Sequence, residues 1–402
     1  MVDKTRYSEL RVDSPRYWLI LGVLAILAGA GLAAAHYMDI EGHHVSGMNN
    51  QIAWGMPHVF AIFLIIAASG ALNIASLSSV FGKLIYEPLA RLSAVLSIAL
   101  LVGGLAILLL DLGRPDRLIV AVTYYNFKSI FAWNIILYSG FIIVVAAYLW
   151  LMMERRMHAY SKPAGLVALI WRLVLTTGTG SIFGFLVARE AYDTALLAPM
   201  FIVMSFAFGL AVFILLLMTS FKLDNRVLSD CHLKRLRNLL GLFTAVIFYF
   251  VLLFHITKLY GAQNHGVEYF LLVEGGIYTA LFWLFQIGAG NLLPLLLIYL
   301  PSLNQSRQSL VLACCLVIVG AFAQLYVIII GGQAYPLNIF PGYEVSSSFY
   351  DGVIGEYTPS VWELMLGLGG FAASIIIVFM VMRILPVTPE ILPDDRASEI
   401  SS

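Results

Sequence analysis

Two carboxylates and two guanidinium groups lie within seven residues at the end of a long apolar run. The run extends from Leu92 to Leu110, and the turn that follows reads Asp111-Leu112-Gly113-Arg114-Pro115-Asp116-Arg117. Gly113 and Pro115 prevent a helix from continuing smoothly through this turn. A charged side chain beside hydrocarbon is costly unless it is paired or hydrated. The turn therefore indicates either a helix end with arginines among lipid headgroups or a polar site at the rim of a membrane-embedded pocket.

His58 is the second residue that could carry chemistry. It lies in the opening turn of the preceding apolar segment, after Pro57, a residue well suited to a helix start. Because consecutive spans run in opposite directions, His58 and Asp111 are expected at the same membrane face and at similar depth. An imidazole near a carboxylate can transfer protons near neutral pH, as an acid–base site requires. The simpler interpretation is a histidine that caps a helix or satisfies a core hydrogen bond.

Aromatic and charged residues nearby are candidates for the rest of a pocket. Aromatic side chains pack well on a flat ligand ring, although each could equally anchor the protein at the lipid surface. Arginines could pair with Asp111 and Asp116, with acidic residues of a partner, or with lipid phosphates. The candidates for lining such a pocket are Trp54, His58, Asp111, Arg114, Arg117, Tyr124 and Tyr125, of which His58 and Asp111 are the candidate catalytic residues. Arg189 and Glu190, at the end of the fifth span, are second-tier candidates, with a local ion pair as the alternative.

Composition indicates an all-α polytopic membrane protein. The 402 residues are 61% hydrophobic and 11% charged, whereas a soluble domain has about 25% charged residues. The 23 basic and 23 acidic residues balance, so net charge predicts no nucleic-acid partner. A spanning helix needs about 20 mostly apolar residues. This rule predicts ten transmembrane helices, near 17–37, 57–80, 89–111, 129–152, 164–188, 197–220, 238–258, 272–300, 310–331 and 359–384.

The distribution of basic residues predicts the orientation. If the N-terminus is cytoplasmic, 18 of the 23 Lys and Arg residues, with Arg172 among them, are assigned to the cytoplasmic side. The five exceptions are Arg114, Arg117, Lys128, Arg189 and Lys258. Cytoplasmic loops carry an excess of Lys and Arg. We therefore expect both termini to be cytoplasmic and the charged turn at Asp111 to face outward.

Three stretches resemble a known family. Leu110 to Arg117 resembles the signature turn of the polysulfide reductase membrane subunits of the NrfD/PsrC type, and Trp54-Gly55-Met56-Pro57-His58 looks like that family's other marker. The segment from Gly42 to Gln51 is similar to the longer ten-helix branch, which includes the HybB-type and DsrP subunits. The motifs cover residues 42–134, while the overall layout agrees over most of the sequence.

The resemblance implies a fold and a function. The fold would be a membrane domain, 17–385, with a first four-helix bundle holding the quinone site (57–188), a second four-helix bundle (197–331) and one extra helix at each end. Residues 1–16 and 386–402 would be cytoplasmic segments. The protein would be the quinone-reactive subunit of a respiratory complex in a bacterial or archaeal cytoplasmic membrane, active in sulfur-compound metabolism. Menaquinone or ubiquinone would be the substrate, and the pocket candidates from Trp54 to Tyr125 named above would be its quinone-binding residues.

Partners and cofactors follow from the same resemblance and from ligand supply. The family's usual partner is an extracytoplasmic ferredoxin-like iron–sulfur subunit, and a DsrP-like protein would also meet a cytochrome c and other membrane subunits. The three cysteines, Cys231, Cys314 and Cys315, form no CxxC pattern, so no cluster or metal site is expected. The histidines near lipid cluster toward the outer side, so no haem is expected either.

Two other functions fit the composition. Ten spans would suit a secondary transporter, although the charges are expected to avoid the membrane midplane. A purely structural anchor for redox partners is the other alternative, and it requires nothing of His58 or Asp111. No counterpart of the charged turn is expected after the seventh span, where polar residues are scattered.

Overall fold

The computed structural model describes residues 6–10, 14–303, 306–337, 352–390 and 392. The α-helices are α1 Pro15–Glu41, α2 Met56–Ala71, α3 Asn73–Ser79, α4 Ala90–Leu110, α5 Leu118–Thr123, α6 Ile130–Met153, α7 Ser161–Gly184, α8 Leu197–Leu223, α9 Asp230–Tyr260, α10 His265–Tyr269, α11 Ile277–Ala280, α12 Leu293–Tyr299, α13 Arg307–Tyr326, α14 Gly332–Ala334 and α15 Val361–Ile384. Short 3-10 helices cover His43–Val45, Leu84–Leu89, Pro115–Arg117, Arg155–Tyr160 and Ala262–Asn264. Three π-helical segments cover Phe270–Glu274, Leu281–Leu292 and Val327–Gly331, and the strands are β1 Tyr7–Ser8 and β2 Thr388–Pro389.

Ten helical runs in the described part of the sequence are long and apolar enough to cross a membrane, which confirms the predicted number. They are Pro15–Glu41, Met56–Ser79, Leu84–Leu110, Ile130–Met153, Arg155–Gly184, Leu197–Leu223, Asp230–Tyr260, Ile277–Tyr299, Arg307–Ala334 and Val361–Ile384. The seventh run begins at Asp230, eight residues before the predicted start at 238, because its first two turns are helical but basic. Hydropathy detects the apolar part of such a helix and misses its polar extension.

Spans two to five, from α2 to α7, contact one another and are called here the first group. Spans six to nine, from α8 to α14, also contact one another and are called the second group. The first and tenth spans, α1 and α15, pack together beside them. The two groups pack against each other extensively, with α2 and α7 both against α8. A Cβ atom at Gly70 or Gly209 would overlap the backbone of the facing helix, so the crossing of α2 and α8 requires glycine.

The two ends of the helices form distinct faces. At the end called here the termini face, β1 pairs with β2, and Arg91 donates hydrogen bonds to the backbone oxygens of Met152 and Pro386. The opposite end, called here the site face, contains the end of α4 and the start of α2. The described parts of both terminal segments therefore lie at one face, and the charged turn lies at the other. Of the two predicted cytoplasmic segments, residues 1–5, 11–13, 391 and 393–402 lie outside the described residues.

Arg172 contradicts the expectation that charges avoid the midplane. It lies midway along α7, with only 3% of its surface exposed. One guanidinium nitrogen donates to the backbone oxygen of Ser69 at 3.4 Å, and the group lies over the ring of Phe206. Its assignment to the cytoplasmic side was wrong, because the fifth span encloses it. Removing Arg172 leaves 17 basic residues against five, so the charge bias persists.

Candidate functional site

Asp111 and His58 meet at the site face. The main chain at Asp111 ends α4, and α2 begins two residues before His58. Asp111 Oδ2 lies 3.2 Å from His58 Nδ1, and the aspartate side chain is only 2% exposed. The two groups are close but poorly aligned, so neither His58 Nδ1 nor the Asp111 carboxylate has a hydrogen-bond partner among the described residues. Buried polar atoms are rarely left unpaired. The site therefore has hydrogen-bonding capacity that a ligand can use.

His43 is a third member of this cluster, and it was not among the candidates drawn from the sequence. It lies in the short 3-10 helix after α1 and donates from Nε2 to the backbone oxygen of Asp111 at 2.7 Å. The same nitrogen lies 3.8 Å from Asp111 Oδ1, and the His43 side chain is 30% exposed. The available signal was a histidine pair in a loop without Lys or Arg, directly before the Trp54 motif. Two imidazoles therefore flank one carboxylate.

The surroundings of Asp111 raise the pKa of its carboxyl into the range where proton exchange occurs near neutral pH. Burial raises the pKa of its carboxyl to about 7, with a smaller contribution in the same direction from the negative charge of Glu363. A carboxyl group with an ordinary pKa near 3.9 would be almost fully ionised at neutral pH. Asp111 can instead gain or lose a proton near pH 7, which is what a general acid or base requires.

Glu363 connects the site to the last span. Its side chain is fully buried and accepts hydrogen bonds from the backbone nitrogens of Gly47 and Ser360 and from the hydroxyl of Tyr357. The backbone nitrogen of Met56 donates to the same Tyr357 hydroxyl at 2.6 Å. The start of α2, the loop before it and the start of α15 are thus joined through one carboxylate. Glu363 was not among the candidates, although Ser-Val-Trp-Glu at 360–363 has the spacing of a helix-capping box.

Trp54 forms an aromatic wall beside His58. Its ring lies edge-on to Phe183 with 5.6 Å between ring centroids, and its centroid is 6.3 Å from that of His58. Gln333, from the ninth span, fixes the backbone here. It accepts from the backbone nitrogens of Ala53 and Trp54 and donates to the backbone oxygen of Trp54. The second group of helices therefore positions a wall of the first group's site.

Arg189 holds two backbone segments near Trp54. It donates to the backbone oxygens of Gln333 at 2.6 Å and Gln51 at 2.8 Å. Glu190 enters the network through its backbone oxygen, which accepts from Lys258. Of the second-tier candidates, only Arg189 holds backbone near the site, and the described contacts place neither residue against His58 or Asp111.

The remaining candidates have no described hydrogen bond or ion pair with His58 or Asp111. Arg114 forms an exposed bidentate pair with Asp116, and Arg117 is also exposed. Asp111 has no arginine partner in the described part of the sequence, where its ion-pair neighbours are His43 and His58. Tyr124 is 84% exposed, whereas the Tyr125 hydroxyl is buried without a described partner. The charged turn thus presents arginine outward and only one carboxylate inward.

Gly55 is required where α2 begins. A Cβ atom at this position would overlap the Glu363 carboxylate and the Tyr357 hydroxyl. We expect Gly55→Ala to lower stability by about 1–3 kcal/mol, the usual cost of overpacking, and to lower the melting temperature of the purified protein. Gly22→Ala is the matched control, because nothing lies within 4 Å of a Cβ atom there. Equal melting temperatures for wild type and Gly55→Ala would contradict this contact.

The described residues include no group of three or more His, Cys, Asp or Glu side chains that could hold a metal ion. The expectation that this polypeptide binds no haem and no iron–sulfur cluster stays a prediction, which the visible spectrum and metal content of the purified protein would check.

Comparison with known proteins identifies relatives along nearly the whole sequence. The protein is 29% identical over 387 residues to the Hdr-like menaquinol oxidoreductase integral membrane subunit of Archaeoglobus fulgidus, and the match covers 96% of this sequence and 97% of the relative. It is 27% identical to a putative dimethyl sulfoxide reductase membrane subunit of Halobacterium salinarum, with 92% and 91% covered. It is 24% identical to a polypeptide of the polysulfide reductase of Wolinella succinogenes, with 71% and 96% covered.

The family description "Polysulphide reductase, NrfD" matches residues 44–336. This range includes both the Trp54 motif and the charged turn at Asp111, so the resemblance read from those motifs is confirmed. The ten apolar spans agree with the polytopic membrane architecture of that family. Because the match covers well over half of the sequence, the chain belongs to the NrfD family of polysulphide reductase membrane proteins.

Proposed function

We propose that this protein is the quinone-reactive membrane subunit of a respiratory redox complex, with its quinone site at His58 and Asp111. The main support for this proposal is the His58–Asp111 contact, whose buried nitrogen and carboxylate oxygens lack described hydrogen-bond partners. The name of the Archaeoglobus relative includes menaquinol oxidoreductase, which favours menaquinol over ubiquinol as the substrate. Trp54, Tyr124 and Tyr125 are the proposed aromatic contacts, and Arg114 and Arg117 the proposed basic rim.

The chemistry follows from the donor and acceptor set. Oxidation of a quinol releases two protons with two electrons, and each hydroxyl needs an acceptor at the moment its proton leaves. The Asp111 carboxylate and the unprotonated His58 nitrogen are suitable acceptors. His43 is partly exposed and bonded to the Asp111 backbone, so it offers a way for protons to reach water at the site face. Quinone reduction would use the same groups in reverse.

An iron–sulfur partner at the site face would take or supply the electrons. About 30 Å of hydrocarbon separates the membrane faces, and that distance favours a redox partner on the same side as the quinone site. α5 supports docking there, because its apolar side chains Leu118, Ile119, Val120 and Val122 are exposed directly after the charged turn. A ferredoxin-like subunit is the proposed partner. A cytochrome c, further membrane subunits and sulfur-compound metabolism are the finer parts of the same proposal.

Photolabelling tests the position of the site. An azido-substituted menaquinone, illuminated with the full-length protein in nanodiscs, is expected to label peptides that contain Trp54–His58 or the turn after Asp111. Excess menaquinone should suppress this labelling. Trp54→Phe should also reduce it, because a phenyl ring covers less of the quinone ring than an indole does. Labelling confined to the lipid-facing surfaces of α1 and α12, unaffected by excess menaquinone, would refute the proposed site.

We propose that both termini are cytoplasmic and that the site face is extracytoplasmic, on the basis of the charge bias. Single cysteines introduced into a variant lacking Cys231, Cys314 and Cys315 would test this in intact cells. Ile354→Cys, at the site face, should react with an impermeant maleimide from outside, since the side chain is exposed. Val227→Cys, exposed at the termini face, is the matched control and should react only after lysis. The reverse pattern would invert the topology and the side on which the partner docks.

A further inference from the structure

A second histidine–carboxylate pair lies in the second group of helices. His255, near the site-face end of α9, has its Nδ1 2.7 Å from Oε2 of Glu268, which belongs to the short helix α10. The glutamate side chain is 1% exposed and that of the histidine 12%. No counterpart of the charged turn was expected after the seventh span, and this pair, which is not such a turn, was not among the candidates. The pair was missed because Glu268 comes from the segment between two spans.

His255 also lines a small cavity. His255, Gln286 and Gln324 contribute its polar lining, and the rest is apolar. Its volume is about 20 Å³, which is enough for one water molecule but far below the size of a quinone ring. The Nε2 atom of Gln324 is buried and has no hydrogen-bond partner among the residues that the structure describes. An unsatisfied donor that lines a water-sized cavity indicates a bound water.

Two π-helical segments contribute residues to the lining of this cavity. Leu281–Leu292 carries Gln286, and Val327–Gly331 begins three residues after Gln324. A π-helix is wider than an α-helix, and short π-helical segments are frequent at functional sites. Asn291 donates to the backbone oxygen of Gln286 at 2.7 Å, and its own side-chain oxygen has no described partner. The regular α-helical pattern is thus interrupted beside the polar side chains of Gln286, Asn291 and Gln324, inside an otherwise apolar bundle.

We infer that His255, Glu268, Gln286 and Gln324 form a proton-binding site, in which the imidazole–carboxylate pair and one water molecule in the cavity share an exchangeable proton.

Three charged residues and two neutral amides surround this pair. Lys258, one turn after His255 on α9, donates to the backbone oxygens of Glu190 and Tyr192. Glu190 and Asp193 add negative charge from the segment after the fifth span. The facing parts of the eighth and ninth spans contribute the neutral amides of Gln286 and Gln324.

Infrared spectroscopy tests this site directly. The full-length protein in nanodiscs would be titrated in an Asp111→Asn background, which removes the carboxyl at the proposed quinone site. We expect a carboxyl band that changes between about pH 5 and 8, the range of histidine-linked titration. Glu268→Gln should abolish the change, whereas Glu274→Gln, which alters the exposed partner of Tyr269, should preserve it.

Gln324→Leu keeps both titrating groups and removes one side of the water site. It should shift the midpoint of the band by at least about half a pH unit and reduce its sensitivity to H₂O/D₂O exchange. A band that stays constant from pH 5 to 8 would make the pair a fixed structural contact and would overturn the inference. An unchanged midpoint in Gln324→Leu would also overturn it, and this variant decides the matter even if Glu268→Gln fails to fold. Neither result would bear on quinol oxidation at His58 and Asp111.

Discussion

Replacing His58 by alanine or Asp111 by asparagine is expected to lower quinol turnover by about 10²–10⁴, the usual contribution of a positioned acid or base. Asp111→Asn keeps the size of the side chain and removes its ability to accept a proton. His58→Ala removes the nitrogen that lies 3.2 Å from the carboxylate. The measurement is electron transfer from a menaquinol analogue to an artificial acceptor in the purified complex, whose subunit stoichiometry is determined to show that assembly is intact.

Controls separate a chemical role from a loss of folding. Asp116→Asn alters an exposed carboxylate in the same turn, five residues from Asp111, and should retain near-normal turnover. Arg383→Ala alters a charge at the end of α15 at the termini face and should also retain it. Asp111→Asn also removes a carboxyl whose pKa is raised by burial, so that ionising it no longer opposes folding at high pH. We therefore expect Asp111→Asn to be at least as stable as wild type at pH 8. Near-normal quinol turnover in both His58→Ala and Asp111→Asn would show that the pocket is misplaced.

The rate of quinol oxidation is expected to fall about tenfold for each pH unit below about 7 and to level off above it. The reason is that Asp111 accepts a proton only when ionised, and burial raises the pKa of its carboxyl to about 7. The fraction in the ionised form therefore decreases about tenfold per unit on the acid side. In the direction of quinone reduction Asp111 must donate, so the rate should instead fall above about pH 7. Stopped-flow rates of the single-turnover step across about pH 5 to 9 would give the slope and its sign.

Much of the fold was predictable because the bilayer imposes a length on each span. Hydropathy indicated ten segments, and the charged turn with Gly113 and Pro115 marked where the third span ends. Antiparallel spans then placed His58 and Asp111 at one face, and the structure brings these side chains together. These inferences rely on local patterns and on the alternation of direction, both of which a single sequence displays.

The rest of the site depends on contacts between distant segments. Glu363 binds Gly47 across 316 residues, and Gln333 holds Trp54 across 279. Nothing in a single sequence pairs such positions, so the capping glutamate and the buried amide remained unnoticed. Arg172 was counted with the cytoplasmic side although the predicted fifth span contained it, and Glu268 was missed because it lies in the segment between two spans. In the structure, however, Arg172 is buried inside α7 and Glu268 is buried beside His255.

The pH profile of Asp111→Asn is the decisive measurement for the quinone site. It would be recorded in the same complex and with the same quinol as the wild type, with Asp116→Asn beside it. We expect the residual oxidation rate of Asp111→Asn to be nearly independent of pH between about 5 and 8, while wild type and Asp116→Asn keep the acid limb near pH 7. An acid limb of unchanged slope and midpoint in Asp111→Asn would show that another group accepts the quinol proton, and would contradict the assignment of the quinone site to His58 and Asp111.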